Sequence, residues 1–183
     1  MGEATVGSQV TFDSQVFTYL VEANAGAYDP AKDPDHTTAQ ERVAALRIFL
    51  YHDIIIVPPT VAREFRNIAD PSRRKEHELF AHVHLIETDH LDPAKVDALA
   101  RYYYGLHPSM NDCRIVAEAE LLRVDFLLTR DADLINRLGH RPGYPVLATP
   151  SWFWRFMKIP RGASPKWTPH PTHPLSQTDW WRW

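Results

Sequence analysis

The chain has 183 residues, 44% of them hydrophobic and 23% charged, enough to bury one sizeable core, and its length points to one domain. Its net charge of −3 does not advertise a basic nucleic-acid-binding face, although gathering five acids at one metal site would leave the remainder slightly basic. The only cysteine, Cys113, excludes an intramolecular disulfide and a thiolate zinc cluster, so a bound metal has to be held by oxygen or imidazole.

The N-terminal stretch MGEATVGSQV carries neither a basic leader nor an apolar run. No segment approaches the roughly 20 apolar residues of a membrane span, so a cytoplasmic protein is expected. Gln9 to Phe12 reads as a short strand that turns at Asp13 and Ser14 into a helix, with Val16, Phe17, Leu20 and Val21 at helical spacing. Asn24 to Thr38, with Gly26, Pro30 and Pro34, reads as a loop before a periodic helix from about Ala39 to Tyr51. Ile54 to Val57 is a continuous β-branched run, as expected of a strand covered on both faces in a parallel sheet. Pro58 and Pro59 end it, and Val61, Phe65 and Ile68 give the next helix one apolar face.

Two further helices are expected over about Lys75 to Thr88 and Pro93 to Tyr104, packed as a pair, the second opened by Asp92 and Pro93. A helix over Asn111 to Leu122 then leads into a strand at Asp125 to Thr129, a short helix near Ala132 to Leu138, and a last strand at Val146 and Leu147. Strands alternating with helices predict an α/β domain with a mostly parallel sheet. From Pro160 onward the chain holds five of its fifteen prolines and four of its six tryptophans, which excludes a regular helix or central strand there. An extended arm packed on the body is the simpler expectation, and a partner-binding segment the sharper one. The expected organisation is a domain over residues 1–158 and a Pro/Trp-rich tail over residues 159–183.

In a parallel sheet every strand's C-terminal end opens on one edge, where ligands bind. Asp13 closes the first strand, Glu64 lies one turn into the helix after the second, Asp112 begins the helix before the fourth, and Asp131 follows the strand ending at Thr129. Singly, each has a structural explanation: Asp13 and Ser14 suit an N-cap, the helix dipole favours Glu64, and Ser109 with Asp112 has capping-box spacing. Their faces argue otherwise. Glu64 sits three after Val61 and four before Ile68, and Asp112 three before Ile115, both near core-facing stripes where an unpaired carboxylate is costly. Arg63 and Arg66 lie on other faces of their helix, and Arg130 is the only basic residue at an expected strand end. A divalent cation is then the simpler partner, and carboxylate ligation suits Mg²⁺ or Mn²⁺.

These segments resemble the PIN domain family of metal-dependent nucleases, which includes the small VapC-type toxins. The resemblance rests on "TFDSQVF", "VPPTVAREF", "NDCRIVAEAELL" and "FLLTRDADL", with "YPVLATPSWFWRF" similar to the family's closing strand, proline and helix, and it covers about Gln9 to Met157. It implies a three-layer α/β/α fold and an endoribonuclease in which Asp13, Glu64, Asp112 and Asp131 are catalytic and hold Mg²⁺ or Mn²⁺, with Asp133 as a fifth acid. Either acid of the Asp131 and Asp133 pair could be the one that reaches the metal, Asp131 being nearer the strand end. Ser14 and Thr129 are implied as hydroxyls orienting ligands or phosphate oxygens. RNA is the implied substrate, and an antitoxin or other protein, or a second copy of the chain, the implied partner. The long linker around Asn24 to Thr38 and the Trp/Pro tail depart from the small toxins.

Other signals weigh less. His107, before Pro108 and Ser109, is within reach of the acid edge as an acid or phosphate donor, a surface loop histidine being the simpler expectation. His82, His84, Asp89 and His90 lie close in sequence, but His82 and His84 fall on different helix faces and lack metal-ligand spacing. Among Tyr102, Tyr103 and Tyr104 at most one is expected to stack on a base while another fills core. Arg73, Arg74 and Lys75 form a basic run that suits phosphate contact or plain solvation. Two rivals to the nuclease are a non-catalytic PIN-like module that binds RNA or protein, and another phosphoryl hydrolase on the same kind of sheet. Against the second, Asp13 is followed by Ser14 and Gln15, without a second aspartate two positions on.

Overall fold

The computed structural model describes residues 7–183 apart from positions 53, 89, 142 and 144, and its centre is a sheet of five strands, all parallel. The strands are β1 (Val10–Phe12), β2 (Ile55–Val57), β3 (Ile86–Glu87), β4 (Phe126–Leu128) and β5 (Val146–Ala148), in the order β3-β2-β1-β4-β5. All but β3 come from the apolar runs read in the sequence, and β1, β2 and β4 are buried along their whole length. Val10 lies opposite Ile55 and Phe126, while Phe12 lies opposite Leu128, which lies opposite Ala148. Because β1 to β3 step one way from the centre and β4 to β5 the other, right-handed crossovers send their helices to opposite faces. The order reverses between β1 and β4, where an open parallel sheet leaves a crevice at its C-terminal edge.

Eight helices are described: α1 (Ser14–Asn24), α2 (His36–Tyr51), α3 (Pro59–Arg66), α4 (Pro71–His84), α5 (Pro93–Tyr104), α6 (Met110–Leu121), α7 (Ala132–Leu138) and α8 (Pro150–Phe156). Four begin at a proline, Pro59, Pro71, Pro93 and Pro150, and most are capped at their start by a side chain, Asp13, Asp35, Asp70, Asp92, Ser109, Asp131 and Thr149 each accepting a first-turn N–H. None of the described helices is long and apolar enough to cross a membrane.

Three expectations are corrected. The helix expected to run to Thr88 stops at His84, and Ile86 and Glu87 join the sheet as the edge strand β3, with the Thr88 hydroxyl donating to Val57 O at 3.2 Å. With that strand between them, α4 packs on α1 and α3 while α5 packs on α6, so α4 and α5 do not form the expected pair. The long loop is also shorter than expected: Pro30–Lys32 makes one 3₁₀ turn, and Asp35 starts α2 at His36.

The tail is folded onto the body. Leu175 and Trp181 are buried in the main core, and Trp167 packs against Phe49 and His84. The Arg47 guanidinium donates to the carbonyls of Trp180, Trp181 and Arg182, at 3.4, 3.1 and 3.1 Å. At Gly26, with φ +73°, a Cβ would collide with Pro174, so the end of α1 and the tail approach as closely as a glycine permits.

Candidate functional site

Asp13 and Asp131 follow neighbouring parallel strands, β1 and β4, so backbone pairing alone brings them to one crevice. Asp13 N–H donates to Leu128 O at 3.0 Å, extending the ladder to the site's mouth. Both aspartates are N-caps: Asp13 Oδ1 accepts from Val16 N–H at 2.7 Å and Asp131 Oδ1 from Leu134 N–H at 3.0 Å. Capping thus engages one oxygen of each carboxylate and leaves the other. Thr129 lies between them, its hydroxyl hydrogen-bonded to the Asp13 carboxylate and accepting Asp131 N–H at 3.0 Å. Thr129 is fully buried, so of the two roles expected of its hydroxyl, orienting acids matches its position and contacting a phosphate does not.

Glu64 comes from α3. It accepts a hydrogen bond from the Ser14 hydroxyl, next to Asp13, and another at 2.8 Å from the Asn111 side-chain amide, next to Asp112. Ser14 therefore holds an acid, and Asn111 is a site residue that the sequence reading missed. Asp112 stands in the first turn of α6, close enough to Asp13 for repulsion between them to count. Burial pushes the Asp13 carboxyl up to about 6, with Asp112 adding to the rise and hydrogen bonds from Thr129, Val16 and Arg130 opposing it.

His107 is not the surface loop histidine expected: it is 4% exposed. Its Nε2 lies 3.3 Å from Asp112 Oδ2 and its Nδ1 3.5 Å from Asp133 Oδ2. Its loop is pinned by His107 N–H donating to Tyr103 O at 2.9 Å and by the Cys113 thiol donating to His107 O at 3.3 Å. His107, Asp112 and Asp131 can each present a donor atom within 4.8 Å of the others. Asp133 is half exposed, its carboxylate also paired with Arg137 at 2.8 Å.

Among the described residues no lysine or arginine lies within ion-pairing distance of Asp13, Glu64, Asp112 or Asp131; the ion pairs at the site are those of His107 and of Arg137 with Asp133. Oxygen donors on several sides, an imidazole, and a carboxyl whose ionisation the apo protein opposes make a donor set that fits a divalent cation.

Two helices are capped from other helices. Glu118 of α6 takes Thr60 N–H at 2.8 Å and the Thr60 hydroxyl at 2.7 Å, and Glu41 of α2 takes Ser151 N–H at 2.8 Å and the Ser151 hydroxyl at 2.6 Å. The signal that drew attention to Glu64, an acid on an apolar helix face, was also present at Glu118, between Ile115 and Ala119. The remaining sequence signals lie elsewhere or are spent on packing. His82 is exposed, His84 packs among Phe49, Phe80 and Trp167, and Asp89 lies outside the described residues. Arg73 pairs with Glu22, and Arg74 donates to Ile68 O. Tyr103 is core, its hydroxyl on Glu120, while Tyr102 and Tyr104 are exposed. In comparisons with protein-family models and with curated proteins, no family model and no curated sequence matches the chain.

Proposed function

We propose that the chain is a metal-dependent nuclease of the PIN type, a three-layer α/β/α domain that hydrolyses RNA phosphodiester bonds at the β1/β4 edge. The observation that carries this reading is the convergence of Asp13, Glu64, Asp112 and Asp131, from four separate segments, with no lysine or arginine paired to any of them among the described residues. Carboxylates gathered at one edge are unfavourable without a counter-charge, and Asp112 and Asp131, with His107, present donor atoms within 4.8 Å of one another, close enough to share a divalent ion.

Mg²⁺ or Mn²⁺ at these residues would supply Lewis acidity, offsetting charge that builds on the phosphodiester and making a water more acidic. The chain's own contribution is orientation. Thr129 fixes Asp13 and the start of the Asp131 turn together, Ser14 and Asn111 fix Glu64 from both sides, and Ser109 fixes the first turn of α6 by accepting Asp112 N–H at 3.3 Å. Tyr102 and Tyr104, exposed at the end of α5 beside the His107 loop, supply rings for an unpaired base, and Arg141 lies 5.2 Å over the Tyr102 ring as a cation for the backbone. RNA rather than DNA, and an antitoxin-like protein or a second copy as partner, follow from the resemblance.

The reading is tested by incubating purified protein with a mixed-sequence single-stranded RNA pool, with Mn²⁺, with Mg²⁺ and with chelator. Cutting in either metal and none with chelator is expected. RNA bound but left intact under all three conditions would favour the non-catalytic module instead.

A further inference from the structure

His107 is the one group at the site that an all-oxygen cation site does not account for. It is 4% exposed, its two ring nitrogens are turned toward two different carboxylates at 3.3 and 3.5 Å, and Nδ1 makes no hydrogen bond. Nε2 is within hydrogen-bonding distance of Asp112, but a neutral imidazole has a single N–H to offer two acids. Its other nitrogen then turns a lone pair toward a carboxylate, which is repulsive unless the ring takes a second proton or a cation lies between them. The loop has been fixed to keep it there: its backbone N–H and C=O are both taken, by Tyr103 and Cys113.

We propose that His107 is a ligand of the cation, through the nitrogen that faces Asp112, completing a mixed nitrogen and oxygen set with Asp112 and Asp131. This rests on the reading of the acids as a cation site and narrows it. The three donors lie within 4.8 Å of one another, and two ligands about 2.1 Å from a shared ion are about 3 to 4 Å apart, so a small closure suffices. Asp133 then has a use that does not require it to reach the metal. It faces Nδ1 at 3.5 Å and is itself held by Arg137 at 2.8 Å, the carboxylate, imidazole and metal sequence by which proteins orient a histidine ligand. An imidazole in the set favours first-row transition ions over Mg²⁺, which prefers oxygen, and Mn²⁺ is the ion to test.

The experiment is Mn²⁺ binding to the full chain, followed by loss of the free-ion EPR signal, with pulsed EPR to detect nitrogen bound to the ion. The wild type is expected to bind Mn²⁺ with modulation from one ¹⁴N, converted to the ¹⁵N pattern when the protein is grown with ¹⁵N-histidine; that comparison needs no variant to fold. His107→Gln is expected to lose the modulation and more than about tenfold in Mn²⁺ affinity, with Mg²⁺ affinity much less changed, and Asp133→Asn to keep the modulation and weaken binding about tenfold. Mn²⁺ bound by the wild type with no nitrogen modulation overturns the role of His107 and leaves the acid site standing. No Mn²⁺ bound at all overturns both, whatever the RNA assay gives.

Discussion

The Glu118 carboxylate, buried on α6, accepts the N–H of Thr60 at 2.8 Å and its hydroxyl at 2.7 Å, and so caps α3 from another helix. The residue in α3's own capping position, Pro58, has no side chain that can do this. The contact joins the helix that carries Glu64 to the helix that carries Asp112, one turn or more below both acids, so two site residues inherit their spacing from a pair that touches no substrate.

Glu118→Ala is therefore expected to cost about 2 to 3 kcal/mol, because it leaves buried Thr60 donors unpaired, while Glu118→Gln, which still offers an acceptor, costs less. Urea unfolding at neutral pH measures both. Burial holds the Glu118 carboxyl above the usual carboxylate range, which also favours the neutral amide. Equal losses in the two variants would mean that the contact does not cap α3.

Asp13 gives a pH prediction. Its carboxyl is raised to about 6 in the fold, chiefly by burial, against 3.8 for the ordinary group. A group raised in this way contributes stability that is fully present below pH about 4 and is lost as pH rises through about 6. At neutral pH and without metal, Asp13→Asn should be more stable than the wild type by about 1 to 3 kcal/mol, since asparagine also caps a helix. Near pH 4 the two should converge, and adding Mn²⁺ at neutral pH should stabilise the wild type alone. Thermal unfolding at several pH values checks the sign, and a destabilised Asp13→Asn at neutral pH would show that capping outweighs ionic strain.

The tail makes a separate claim, about stability. Trp181 is 3% exposed, and its indole N–H donates to Leu175 O at 2.9 Å. Trp181→Ala should cost about 3 to 5 kcal/mol, as for other large core side chains, and should lower the unfolding midpoint of the whole chain in one cooperative transition. A midpoint equal to wild type would return the tail to the role of a loose segment.

How much of this was legible beforehand depended on the range of the interactions. Strands β1, β2 and β4 and helix α7 declare themselves through local runs and caps. The meeting of Asp13 and Asp131 follows from their places after parallel strands, whatever the detail of packing. Strand β3 was not legible: its two residues occupy an edge with Ile86 half exposed, and only the neighbouring β2 makes them a strand. The depth of His107 was hidden for another reason: its loop is tied to the helices on either side, at Tyr103 and Cys113, and no sequence pattern declares those contacts. Asn111 carries no motif of its own, and Glu118, though an acid on an apolar helix face, shows its partner only once α3 and α6 are seen side by side.

The most direct measurement is the rate of RNA cleavage in Mn²⁺ by the wild type and by Asp112→Asn, alongside the thermal midpoint of each. Asparagine keeps the shape of the side chain and removes the charge that the cation needs. The account predicts that cleavage falls about 100-fold or more while the midpoint without metal is unchanged or higher. Cleavage retained by a folded Asp112→Asn would contradict it, and would place whatever activity the preparation has outside the four acids.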